Sequence, residues 1–324
     1  MNLSRASAFA LDTAMCAMMF AIQRRHKLHA ASRGEIEDYI ASCEGMTRGE
    51  YFAAPAVEDA ERSTSNAQRS TLKWPSPVAT VFPVNDRTHV DLFPCSAGWS
   101  APTVIMLHAL MSASDRGYRR WAAAFNARGW NACFVHLPYH YSRKPRGHWN
   151  GELAITADAE RNAQGLRAGV SELRQLMALL RARGCGEFGL WASSYGGWIG
   201  GLLLSVEKDF RWAALMEPIA DVGHAIWESP TGAAVRRELC RTGIEPDLLA
   251  RLYPLVSPSH AAPLCENGRV IFCAGEYDRI ARAEDIARLH EKWRGSELLH
   301  VAQGHFGYRM MPAVWTRLGE RGLI

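Results

Sequence analysis

Ser194 lies at the centre of a small-x-Ser-x-Gly turn, Ala192-Ser193-Ser194-Tyr195-Gly196. The apolar run before it, residues 187–192, reads as a short buried strand, and the glycine-rich run after it, 195–206, reads as a helix. A serine on so sharp a corner is pushed outward, while the following helix aims free N–H groups and partial positive charge at its hydroxyl. Ser193 fits worse, because Trp191 and Tyr195 would crowd the flanking positions. A serine hydroxyl is a weak nucleophile until a base takes its proton, and that base needs a partner to hold its tautomer. Downstream, Gly275-Glu276-Tyr277-Asp278 puts a carboxylate just past a buried strand, and Gln303-Gly304-His305-Phe306-Gly307 puts a histidine in a late loop. Ser194, Asp278 and His305, in that chain order, are therefore the candidates for nucleophile, acid and base. Glu217, at the end of the preceding strand, is the rival acid.

The elements that must position these groups follow one rhythm. Residues 103–107, 132–137, 187–192, 212–216, 270–274 and 298–301 read as strands, and 119–128, 152–183, 195–206 and 284–293 as helices, with a last helix starting near Pro312. Such alternation predicts a mostly parallel sheet covered by helices on both faces, with ligands bound beyond the carboxyl ends of the strands. Before this core, 78–84 and 88–93 read as an antiparallel pair joined at Asn85-Asp86-Arg87. Residues 1–77 are expected to be a separate arm, with helical patches at 6–29 and 34–44 and a polar linker at 61–73. That arm would drape over the main domain or make a homo-oligomer contact. Residues 218–265 break the rhythm with short helices and with Pro230, Pro246, Pro254, Pro258 and Pro263, which suits a lid.

Composition narrows the class. The 324 residues are 48% hydrophobic and 22% charged with a net charge of +4, values of a globule with a sizeable core and no nucleic-acid partner. The eight cysteines show no C-x-x-C spacing, which favours a reducing cytoplasm. The apolar run 14–22 is too short to span a bilayer and reads as a packed N-terminal helix.

From residue 78 onward the chain resembles the α/β-hydrolase-fold serine hydrolases, nearest to the dienelactone hydrolase and prolyl-oligopeptidase-like branches. The motifs that carry the likeness are the elbow at Ser194, the acid turn at Asp278 and the Gly304-His305 loop. The resemblance implies an α/β-hydrolase domain over 78–324 with a lid at 218–265. It also implies a Ser194–His305–Asp278 triad, an acyl-enzyme route and no cofactor. It places an oxyanion hole at the backbone N–H groups of Tyr195 and of Leu110, in the turn His108-Ala109-Leu110. Alanine stands here where the family usually carries glycine, both in that turn and at the start of the elbow.

The substrate expected is a small molecule with an ester-like bond, a carboxylic ester or thioester. Arg143 and Arg146, in a basic loop, are candidates to recognise an anionic group, and Trp227 to line an acyl pocket. His136, His140 and His148 share that loop, but their spacing does not make a compact metal set, so no metal is expected. The alternative is a non-catalytic α/β-hydrolase-fold protein that binds a ligand or partner.

Overall fold

The computed structural model describes residues 3–25, 30–66 and 69–324. Three helices come first: α1 (Leu3–Arg25), α2 (Arg33–Cys43) and α3 (Arg48–Tyr51). The core then runs β1 (Glu61–Asn66), β2 (Arg69–Pro75), β3 (Arg87–Phe93), β4 (Thr103–Leu107), α4 (Arg116–Asn126), β5 (Asn131–His136), α5 (Ala159–Arg181), β6 (Phe188–Ser193), α6 (Tyr195–Leu204) and β7 (Phe210–Met216). Four short helices follow: α7 (Val222–Trp227), α8 (Ala233–Arg241), α9 (Pro246–Ala250) and α10 (Tyr253–Val256). The chain closes with β8 (Val270–Gly275), α11 (Ala283–Lys292), β9 (Glu297–Val301) and α12 (Met310–Glu320).

The strands form one nine-stranded sheet in the order β1-β2-β3-β5-β4-β6-β7-β8-β9. β1, β2 and β3 are antiparallel, and from β5 to β9 every pairing is parallel. Alternation along the parallel strands splits the core in two. Ile105 and Leu107 face one layer with Leu190, Leu215 and Phe272, while Val104 and Met106 face the other with Trp191, Trp212 and Phe125. Each layer is closed by helices, so the mostly parallel sheet expected from the alternation is present.

Two expectations at the N-terminal side are corrected. The polar run 61–73 is not a linker: it supplies β1 and β2, which extend the sheet. Its hydroxyls and charge find partners there, since Thr71 Oγ1 donates to Asp91 at 3.1 Å and Arg69 Nη2 donates to it at 2.7 Å. Leu72 and Trp74 fill the alternate, buried positions. Residues 78–84 are not a strand. β3 pairs with β2 instead, Trp74 opposite Thr88, and the intervening loop is folded on Asp86, whose carboxylate accepts the N–H and hydroxyl of Thr80. Pro83, within that stretch, would leave a gap in a ladder.

The apolar run 14–22 belongs to a longer helix. Over Arg5–Gln23, α1 is long and apolar enough to cross a membrane by length and composition, with a mean hydropathy of 1.4. Here it lies along the domain. Its buried positions, Asp12, Cys16, Met19 and Gln23, recur at i, i+4, i+7 and i+11 and form one narrow stripe.

Candidate active site

Ser194 sits between β6 and α6 with φ 52° and ψ −114°, a strained backbone for a residue with a Cβ. The strain is held by its N–H donating to Met216 O at 2.9 Å and its carbonyl accepting from Trp198 N at 2.9 Å. Two residues on, a Cβ at Gly196 would stand 2.7 Å from the His108 carbonyl oxygen and the Leu107 backbone. Only glycine lets α6 start hard against the end of β4. Tyr195 is the first residue of α6, so its N–H has no intrahelical acceptor.

His305 comes from the loop after β9 and Asp278 from the loop after β8. Ser194 Oγ lies 2.8 Å from His305 Nε2, and His305 Nδ1 lies 2.7 Å from Asp278 Oδ2. The other oxygen of Asp278 accepts the N–H groups of Ile280 and Ala281 at 2.7 and 3.0 Å, which fixes the carboxylate. All three side chains are buried.

Glu217 lies close but differently. It leaves β7 with φ 42°; its Oε1 accepts from Ser193 Oγ at 3.3 Å, and its Oε2 is 4.0 Å from His305 Nδ1 with no hydrogen-bond partner. Distance thus separates the two carboxylates: Asp278 is hydrogen-bonded to the imidazole and Glu217 is not. Burial pushes Glu217 up; the His305 charge draws it back and the Asp278 charge pushes it further, leaving it well above the usual carboxylate range. Burial works against a charged His305, but the charges of Asp278 and Glu217 and the Asp278 hydrogen bond outweigh it, so the imidazole is raised above 6.5.

A third acid was missed by the sequence reading. Asp12 of α1 accepts the backbone N–H of His305 at 3.0 Å and of Phe306 at 3.3 Å. A Cβ at position 304 would stand 2.7 Å from that carboxylate, which accounts for Gly304. The available clue was a lone acid inside an apolar helical run, which is stable there only if partnered.

The turn after β4 is braced from the basic loop. His108 Nε2 accepts the N–H of Leu137 at 3.2 Å, and His140 Nε2 accepts the N–H of Met111, whose φ is 55°. Leu110, between them, borders the cavity in front of Ser194.

Three expected substrate contacts are corrected. Arg143 is 1% exposed and forms a two-pronged ion pair with Glu172, also 1% exposed, at 2.6 and 2.8 Å, while further N–H groups reach the Asn85 carbonyl. It fastens the basic loop to α5 and has no donor left for a substrate. Arg143→Ala is expected to destabilise the fold by about 3–5 kcal/mol, because Glu172 would keep a buried, unpaired charge; urea denaturation checks this, and a loss below 1 kcal/mol would contradict it. Arg146 is exposed and lies outside the cavity lining. Trp227 turns away and donates to the Tyr253 hydroxyl at 3.2 Å, leaving its neighbours Ile226 and Tyr253 to line the cavity.

The loop histidines do not converge. His136 instead joins His89 and Asp91, the two rings stacked 4.1 Å apart with their Nδ1 atoms on Ser142 Oγ. Arg69 already sits on the same carboxylate. Burial opposes ionisation of Asp91, but hydrogen bonds from His136, His89 and Arg69 outweigh it and hold it far below the usual range. A metal ion would have to displace that guanidinium, so the set is complete as an ion-pair cluster.

Sheet order, crossover helices and the serine corner define the α/β-hydrolase fold, and comparison with solved structures shows the same. The chain is similar to the acetyl xylan esterase from Paenibacillus sp. R4 over 93% of its own length and 98% of that chain, with a TM-score of 0.62 at 10% identity. It is similar to acetyl xylan esterase 1 from Thermoanaerobacterium sp. JW/SL YS485 over 91% and 96% of the two chains, at TM-score 0.60 and 12% identity. The α/β hydrolase GrgF from Penicillium sp. sh18 matches over 78% and 96%, at TM-score 0.51 and 14% identity. No protein-family model and no curated protein matches the chain. At these identities the likeness establishes the fold.

Proposed function

We propose that this protein is a serine hydrolase that cleaves a carboxylic ester or thioester of a small molecule. The observation that carries this reading is the unbroken hydrogen-bonded line Ser194–His305–Asp278, whose serine and histidine line a cavity. His305 Nε2 takes the Ser194 proton as Oγ attacks the carbonyl carbon. The oxyanion that forms is held by the N–H groups of Tyr195 and Leu110, each such donor being worth ~3–4 kcal/mol. Asp278 keeps the imidazole in the right tautomer and stabilises its cation. Collapse breaks the ester bond, and the leaving oxygen or sulfur takes the proton from His305. Water, deprotonated by the same nitrogen, then attacks the acyl-enzyme and restores Ser194. The eight cysteines are all free, which fits a reducing cytoplasm.

A fluorophosphonate probe tests the reading. Labelling of the wild type that is lost in Ser194→Ala supports it; a folded wild type that takes no label returns the chain to the non-catalytic alternative.

The raised imidazole makes a pH prediction. The base works only when neutral, so kcat/KM rises with pH through a midpoint above 6.5, the ordinary imidazole value. Asp278, Glu217 and Asp12 each add to that rise. Asp12→Ala removes one charge and frees the backbone of the histidine loop. It is expected to lower kcat roughly ten- to a hundredfold with KM little changed, and to move the midpoint to lower pH. A drop in stability with an unmoved pH profile would make Asp12 merely structural.

A further inference from the structure

The cavity before Ser194 has a volume of about 410 Å³ and one unusual wall. Most of it comes from the core and the short helices α7 to α10, through side chains such as Leu166, Trp198, Val235 and Leu252. The remaining wall is α1, which contributes Met15, Met18, Met19 and Gln23. α1 is anchored at three places: Asp12 grips the His305 loop, Phe9 lies 4.6 Å from the Arg279 guanidinium beside Asp278, and Phe20 lies 5.6 Å from the Arg237 guanidinium of α8. The N-terminal helix therefore bridges the catalytic loop and the 218–265 insertion, and roofs the space between them.

The chemistry of the lining is one-sided. Among the described lining residues the only ionisable carboxylate or base is found at the reacting end, in Glu217 and His305, and no lysine or arginine faces the cavity. An anionic substrate would meet no cation there apart from the His305 imidazole itself. A sugar would leave several hydroxyls without partners, each costly to bury. A flexible hydrocarbon arm meets mostly apolar surface, since the polar lining residues Ser112, Asn162 and Thr231 already have partners and Gln23 Oε1 alone of that group has none, and methionines adapt their shape to such an arm. At ~30 Å³ for each methylene-sized group, the cavity holds roughly a dozen of them.

We infer that the site takes an uncharged ester carrying one unbranched apolar arm of medium length, and that α1, through Met15 and Met19, forms the wall that measures this arm. The inference rests on the hydrolase reading above and names its substrate class. The arm could be the acyl or the alcohol portion of the ester, and both present the same chemistry to the cavity.

The test uses the full chain and two series of esters. One is p-nitrophenyl esters from acetate through octanoate and decanoate to palmitate; the other is acetates of alcohols of matching length. In one series kcat/KM should climb about fourfold per methylene to an optimum near eight to twelve carbons (a range set by the ~30 Å³ share) and then fall. Met19→Trp should lower the decanoate-to-butyrate ratio, or its alcohol counterpart, by roughly tenfold or more. Leu252→Trp, from the opposite wall, should give the same shift if the first variant folds poorly. A profile flat in both series, with turnover that still depends on Ser194, overturns the inference and leaves the hydrolase standing. A normal optimum that neither tryptophan moves removes the cavity from the account. Absence of both turnover and fluorophosphonate labelling sinks the hydrolase reading, and this inference with it.

Discussion

Ser194→Ala is expected to lower kcat for ester cleavage by about ten-thousand- to a millionfold, leaving the fold intact. The size follows from what the hydroxyl does: without it no acyl-enzyme forms, and only the oxyanion donors and substrate binding remain to speed attack by water. Stability should change little, because Ser194 Oγ makes its recorded hydrogen bond only to His305 and the strained backbone is held by main-chain bonds to Met216 and Trp198. His305→Ala should fall to the same floor, and the double variant should go no lower, since the two groups act as one unit. Single-turnover kinetics with a chromogenic ester measures this. Activity within tenfold of wild type in Ser194→Ala would mean that some other group attacks the ester.

The second large effect separates the two carboxylates near the imidazole. Asp278→Asn should cost about 10⁴-fold in kcat. An amide of the same shape can still accept the Ile280 and Ala281 N–H bonds, but it no longer offers a charged acceptor at 2.7 Å from His305 Nδ1. The wrong tautomer then faces Ser194, and the imidazolium formed during attack loses its counter-charge. Glu217→Gln should stay within roughly tenfold of wild type, because its nearer oxygen is 4.0 Å from that nitrogen, beyond hydrogen-bonding reach. Its effect belongs in the pH profile. Glu217 adds to the raised state of His305, so removing its charge moves the acidic limb of kcat/KM to lower pH. A reversed order of losses would make Glu217 the acid of the triad.

The two carboxylates also show how far the sequence reached. Both stand at strand ends in the sequence, and the charge of each raises the same imidazole. Position along the chain gave each a claim, with Asp278 favoured by its turn. Separation in space ranks them, and separation depends on how the loops after β7 and β8 fold against α6.

Charged side chains were the hardest to read for the same reason. Arg143 looked like a solvent-facing donor in a basic loop, yet Glu172, far along the chain on α5, pairs with it, and backbone carbonyls take its other N–H groups. The polar run 61–73 reads as part of a linker, yet it joins the sheet, where Asp91 supplies acceptors for it. Asp12 looked like a break in an apolar segment and is a contact between α1 and the histidine loop. In each case the deciding partner lies at least twenty residues away in sequence.

What the sequence determined by itself was the periodic part: buried strands alternating with helices, a glycine-lined corner that thrusts Ser194 outward, and the chain order of serine, acid and histidine at strand ends. These follow from backbone geometry and side-chain period, which short stretches of chain carry on their own. The tertiary structure alone decided which carboxylate touches His305, which arginine is spent inside the core, and that the N-terminal helix forms a wall of the cavity. Partners for a buried charge or an apolar face are chosen by packing among distant segments, because an unpaired charge or an exposed stripe is too costly to leave where local preference would put it.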